Sequence, residues 1–440
     1  MLYTAKEVFD RTVVDPTHMT AHMVAVNARA MVSALDHIPY GEMFAAPYQA
    51  MGAAAEYIVE NTRKLGKPEW RLAANEATGQ ITQRAMDVPG LHPICKLVEF
   101  SPARETGDPV LLIAPMSGHW ATLIRPSVQR MLDGGRRVYV TDWENARDLP
   151  ASQRFDLDDY TDTLMKVFRF LGGSAHAIAI CQPSVPLVMA VSLMEAAGDP
   201  NVPKSMILKG GPIDTRISPT EVNRLAEKRG IGWFEQNVIS HVPLPYQGVG
   251  RPVYPGFLQL YGFMAMNMDR HLKAHREQFN NLVRGDHDSA DKHREFYGEY
   301  KAVQDLAAEY FLPTVKRVFI EHHLAKGEMM YRGAIPVNPA AIRRVPVMTV
   351  EGEIDDITGI GQCASIHDLC SGLKPWQKSA MVQEGAGHYA IFSGGRYRNL
   401  IAPKELAFMD AMSRRNWRSG WRPEARPQMV AGGGSPVAPS

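Results

Sequence analysis

The sequence contains no G-x-S-x-G, so no standard serine nucleophile elbow can be placed in it. Cysteine is scarce: Cys95, Cys181, Cys363 and Cys370 make no CxxC pair, and 4 cysteines in 440 residues do not suggest a disulfide framework. Reduced thiols in a cytosol are the simpler account. Charge of one sign is also missing. Lys and Arg total 48 against 47 Asp and Glu, a formal net charge of +1, so no strong field invites nucleic acid or an acidic membrane surface. No window approaches 18 uninterrupted apolar residues, which argues against a membrane span. The opening MLYTAKEVFDRTVVDPTHM lacks a basic region followed by an apolar core, so no secretory signal is read there. There is no internal repeat. His271 and His275 have the four-residue spacing of a zinc pair, but without HExxH or an evident third ligand they are not assigned a metal. No cofactor is expected.

What is present is a soluble-protein composition, 45% apolar and 22% charged, with 23 methionines that suit adaptable packing or a greasy contact surface. The most informative stretch is HAIAICQPSVPLVMAV, residues 176–191. Ala177 to Ile180 form the short apolar run of a buried parallel strand. Cys181 follows, and from Val185 the pattern is an apolar helix, with Pro186 in its first turn and Gly198 placed to stop it. Strand, sharp turn with one nucleophilic atom, and helix make a nucleophile elbow. The helix N-terminus favours negative charge there, which suits a thiolate.

Around this stretch, strands alternate with helices at Leu97–Phe100, Val110–Ala114, Arg137–Thr141, the strand before Cys181, and SMILKGGPID. That order predicts an α/β-hydrolase fold, a mostly parallel sheet flanked by helices. Helices are expected over Ile124–Leu132 and along LDDYTDTLMKVFRFLGG, where Leu157, Tyr160, Leu164, Phe168 and Leu171 share a face. The reading divides the chain into an N-terminal helical extension over 1–92, the first part of the core over 93–214, a large helical lid insertion over 215–342, the second part of the core over 343–424, and a disordered tail over 425–440. In the second part, helices are expected at Ile360–Leu369 and Pro403–Arg414, and a strand at Lys378–Val382. The Met- and aromatic-rich 254–268 segment reads either as lid core or as a contact for an apolar substrate.

A thiol elbow needs a base and an orienter, and in this topology they follow in the order nucleophile, acid, histidine. EGEIDDITG follows the strand VPVMTV, and EGAGHYAIFSG follows SAMVQ. Cys181 is therefore the candidate nucleophile, His388 the base and then acid, and Asp355 the orienter, with Asp356 its immediate competitor. The oxyanion hole is expected from the backbone N–H of Gln182 and a second one in APMSGHW, best at Met116, with Ser117 close behind. Ser117 and Ser184 read as local hydrogen-bonding groups. Cys363 and Cys370 read as packed thiols, and His293, His322 and His323 as solvated lid residues.

VLLIAPMSGHWATLIRP, RVYVTDWENARDLP, AICQPSVP, LKGGPID, VYPGFLQLYGFMAMNM, VEGEIDDITG and EGAGHYAIFSG together resemble the intracellular poly(3-hydroxybutyrate) depolymerases, cysteine-type enzymes that mobilise storage polyester granules. AICQPSVP and GAGHYAIFSG carry the resemblance most specifically. It implies Cys181, Asp355 and His388 as the triad, amorphous polyhydroxyalkanoate as substrate, and a cytoplasmic enzyme associated with granules. The granule surface is then the expected partner, and the apolar lid makes a homo-oligomer plausible. Polyhydroxyalkanoate synthases resemble the chain too, but they place a glycine after the nucleophile where this sequence has Gln182–Pro183. A non-enzymatic granule-binding protein on the same scaffold would not need Asp355 and His388 at those places.

Overall fold

A computed structural model describes residues 2–35, 37–40, 42–266 and 268–413. The tail read as disordered over 425–440 lies outside them. The chain begins with helices α1 (Leu2–Phe9), α2 (Asp15–Leu35) and α3 (Glu42–Thr62). Ala21, Ala25 and Ala28 turn the buried face of α2 toward α3, and a Cβ added at Gly52 would stand 3.3 Å from that of Ala28. Small residues let the two helices approach closely.

The helical reading of the first 92 residues stops short, because helix ends at Thr62 and a strand follows, β1 (Ile81–Met86). Its four middle residues are exposed, so no apolar alternation marked it. The sheet continues with β2 (Cys95–Pro102), β3 (Val110–Ile113), β4 (Val138–Trp143), β5 (His176–Ile180), β6 (Met206–Lys209), β7 (Val347–Gly352) and β8 (Lys378–Gln383). The order is β1-β2-β4-β3-β5-β6-β7-β8. β1, β2 and β4 pair antiparallel and the remaining neighbours pair parallel, so the fold is the mostly parallel α/β-hydrolase sheet.

Every residue of β3, β4, β5, β6 and β7 is buried, as two-sided cover requires. That cover comes from α4 (Arg125–Asp133), α5 (Leu157–Phe170) and α6 (Ser184–Ala196). Right-handed crossovers put α4 on one face, because β3 to β4 steps one way along the sheet, and α5 and α6 on the other, because β4 to β5 to β6 steps back. Asp156 and Asp159 form a capping box that starts α5.

Between β6 and β7 lies the insertion, with α7 (Glu221–Asn237), α8 (Gly256–Met266), α9 (Met268–Arg284), α10 (His287–Tyr300) and α11 (Ala308–Thr314). It is not purely helical, since Ser240–His241, Pro252–Tyr254 and Leu306–Ala307 form a small antiparallel sheet. The N-terminal helices lie largely on this insertion. Tyr3 donates a 2.6 Å hydrogen bond to Asp305 and stacks on Phe257 at 5.7 Å, while Arg294 pairs with Glu56 and Glu60 of α3.

The helix expected at Ile360–Leu369 is reduced to Ile366–Leu369. The buried Glu351 carboxylate takes the N–H groups of Gly361, Cys363 and Ala364, and these residues turn around it instead of continuing a helix. The last helix, α12 (Ala402–Ser413), lies on the α4 side of the sheet.

Candidate active site

β5 delivers Cys181 to the edge of the sheet with φ +69, a left-handed conformation that costs a non-glycine residue energy. The turn is held at both ends: the Cys181 N–H donates to the Lys209 carbonyl at 2.7 Å, and its own carbonyl accepts from Ser184 N–H at 3.1 Å, where α6 begins. Strain held in place this way marks a residue aimed at a particular point. Cys181 is partly exposed, whereas Cys95, Cys363 and Cys370 are buried.

Asp355 stands in the turn after β7, and its carboxylate is used on both sides. Oδ1 accepts from the N–H groups of Ile357 (2.8 Å) and Thr358 (2.9 Å), and Oδ2 lies 2.8 Å from Nδ1 of His388. Asp356 is exposed and takes no part in that bond. His388 opens a short 3-10 turn after β8, 6% exposed at its side chain. With Nδ1 on Asp355, its other ring nitrogen is left for Cys181, whose charge acts on the ring. Burial pulls the imidazole down, but the charges of Asp355 and Cys181 outweigh it and hold His388 well above its ordinary value. The chain thus brings Cys181, His388 and Asp355 together.

Glycines make this closeness possible. A Cβ on Gly352 would meet the Ala386 carbonyl at 2.4 Å, so the acid and histidine loops touch only because it is absent. Gly210, at φ +54, lies under the imidazole, and a Cβ there would be 3.0 Å from His388 Cε1. The reading of the residues gave Gly210 and Gly211 no role, although two glycines directly after a buried strand were a visible signal.

Ile113 pairs with Ala179, so the loop leaving β3 runs beside the elbow. This is the point where strand order reverses, the usual crevice of an open α/β sheet. Met116 lies in that loop, 1% exposed, and Gln182 directly follows the thiol. Ser184 departs from expectation: it is fully buried against Gly211, and its Oγ has no hydrogen-bond partner among the described residues.

Aromatic groups close over the site. The Tyr310 hydroxyl of α11 faces Oε1 of Gln182 at 3.5 Å. Tyr389 packs on Tyr300 of α10 at 5.8 Å, and His119 sits among Phe263, Tyr300 and Tyr389. Burial pushes His119 down to about 4, so it stays a neutral ring. These residues were missed because their partners lie far away in the sequence, 89 positions apart for Tyr300 and Tyr389 and more for the others. The 254–268 segment divides: Phe257 and Phe263 pack inward, while Tyr261 is 69% exposed. His322, read as solvated, is buried and bonded to Thr215 at 3.0 Å. His271 bonds the Tyr297 hydroxyl at 2.9 Å, and among the described residues no group of three or more His, Cys, Asp or Glu is arranged to hold a metal ion. No helix among them is long and apolar enough to cross a membrane.

Residues 210–413 match the family model described as PHB de-polymerase C-terminus. That match supports a PHB-depolymerase-like hydrolase. It spans β7, β8 and the insertion, and so includes Asp355 and His388 but not Cys181. No curated protein is significantly similar in sequence. Among solved structures, a putative lipase from Acinetobacter baumannii is 12% identical, covering 76% of this chain and 92% of that one at a TM-score of 0.40. A thermophilic esterase from Thermogutta terrifontis is 13% identical, covering 75% and 99% at a TM-score of 0.40.

Proposed function

We propose that the protein is a cysteine-type depolymerase that hydrolyses ester bonds of amorphous poly(3-hydroxybutyrate), and that it works in the cytoplasm at the granule surface. The observation that carries this reading is Cys181 at φ +69 on the elbow, facing a His388 bonded to Asp355 at 2.8 Å, in a chain whose second part matches a depolymerase family. In the reaction, His388 takes the thiol proton and Sγ attacks the ester carbonyl. The N–H groups of Gln182 and Met116 hold the oxyanion, each donor worth about 3 kcal/mol. The intermediate collapses to an acyl-thioester on Cys181, and His388 gives its proton to the departing hydroxyl. Water, deprotonated by His388, then attacks the thioester and releases the carboxylic acid and the free thiol. Asp355 keeps the imidazole turned and stabilises its charge.

The aromatic insertion over Gln182 and Tyr389 serves in this reading as a lid that keeps bulk water from the thioester. Its exposed Tyr261, Met266, Met268 and Leu272 suit contact with an uncharged polyester surface. The test is direct. Purified protein should clear a suspension of amorphous polymer with release of 3-hydroxybutyrate or its oligomers, and Cys181→Ala should abolish clearing while granule binding persists. An alanine variant that still clears at the wild-type rate would sink the mechanism.

A further inference from the structure

Away from Cys181, a cleft of about 810 Å³ opens between the α2–α3 hairpin and helices α9 and α10 of the insertion. Val32 of α2, Tyr48 and Val59 of α3, and Leu282 and Val283 of α9 give it an apolar lining, over a floor of small residues buried at the α2–α3 seam. Its charged lining is unbalanced: Arg29, Arg63, Arg284, Arg294 and Lys301 stand against two carboxylates, Glu56 and Glu60. Both carboxylates are already engaged. Glu56 pairs with Arg29 at 2.6 Å and Arg294 at 3.3 Å, and Glu60 pairs with Arg294 and accepts from the Gln278 amide at 3.1 Å.

Arg63, Arg284 and Lys301 are left without an ion pair among the described residues. Lys301 reaches only the Asn61 side-chain oxygen and the Tyr297 ring, 5.2 Å from its centroid. Burial draws Lys301 down to about 8, with Arg63 adding to the effect and Glu60 opposing it, as for a cation short of an anionic partner. The volume suits a small molecule, and the lining asks for both an apolar body and a negative head. A neutral chain would leave these cations unpaired, and a small inorganic anion would leave the apolar lining wet.

We propose that this cleft is a second binding site, which takes an amphipathic carboxylate with its apolar chain along α2 and α3 and its head on Arg63 and Lys301. Two sources share that chemistry: a short hydroxyalkanoate oligomer, which ester cleavage ends in a carboxylate, and a free fatty acid. The assignment stands on the charges and shape of the cleft and does not depend on Cys181 being catalytic.

The probe is 11-(dansylamino)undecanoic acid, titrated into the full-length Cys181→Ala protein, which leaves the methyl ester control intact, and followed by fluorescence. One equivalent is expected to bind, at least about tenfold more tightly than its methyl ester, since only the acid can form the charge-assisted contacts. The Arg63→Gln, Lys301→Met double variant should lose about tenfold in affinity for the acid, with its melting temperature measured alongside. Competition by a linear 3-hydroxybutyrate trimer acid would name the product as the source, and competition by decanoate alone would name fatty acid. A medium-chain diazirine carboxylate should photolabel peptides from 25–63 and 282–301. Equal affinity for acid and methyl ester, or label on the 176–191 or 385–392 peptides, overturns the site. Neither outcome touches the reaction, which the Cys181→Ala clearing assay decides separately.

Discussion

His388 is held from three sides: by the Asp355 carboxylate at 2.8 Å, by Cys181, and from beneath by Gly210. Asp355→Asn removes the charge that most raises its pKa, so its titration should move down, as read from its Cε1–H resonance. Ester turnover should fall by about 10³- to 10⁴-fold, the scale seen when the orienting acid of such a triad is lost. Because the folded-state pKa of His388 lies above the ordinary 6.5, its contribution to stability is fully present below about that pH. It is lost as pH rises through the raised value. Denaturant midpoints across pH should show this loss in the wild type and a smaller one in Asp355→Asn. Gly210→Ala adds a Cβ 3.0 Å from the ring at a positive φ. A destabilisation of about 1–3 kcal/mol is expected, together with slower turnover from a tilted imidazole.

At the level of elements, the end of β6 is anchored by a pair buried out of all contact with solvent, Lys209 Nζ and Glu405 Oε1 at 2.6 Å. Lys209 also lies over the Tyr397 ring, and its backbone carbonyl holds the Cys181 N–H. The pair therefore joins α12 to the strand that supports the elbow. Glu405→Met alone strands a buried ammonium and should cost about 3–5 kcal/mol by chemical denaturation. The Lys209→Met, Glu405→Met double variant should cost less than either single one. If the double were the least stable of the three, the pair would be a net stabiliser and this account of it wrong. Elements of the buried sheet were legible because two-sided burial writes continuous apolar runs, as in VLLI and HAIAI. β1 was not, because an edge strand with an exposed middle has no such run, and the 360–369 segment misled because Glu351 captures its N–H groups from another strand.

For the molecule as a whole, three of the four thiols are buried and one is partly exposed under an aromatic cover. A thiol reagent of modest size should titrate one cysteine in the native protein and four after unfolding, and Cys181→Ala should bring the native count to none. Rapid modification of a second thiol in native protein would contradict this packing. The insertion and the N-terminal helices form a further layer joined through Tyr3, Asp305, Glu56, Glu60 and Arg294, none of which carried a pattern that announced a partner.

The order of Cys181, Asp355 and His388, each just after a sheet strand, could be read from the chain alone, because hydrophobic periodicity and glycine placement are local. So could Cys181 and His388 as residues to bring together, with a carboxylate from Asp355 or Asp356 between them in sequence. Only the tertiary structure decided that Asp355 and not Asp356 meets His388, since one residue's difference in a turn is set by which carboxylate the Ile357 and Thr358 N–H groups hold. The same holds for Gly210 beneath the imidazole and Tyr310 against Gln182. These contacts join positions far apart in sequence, and their geometry exists only once the sheet and the insertion have closed on each other.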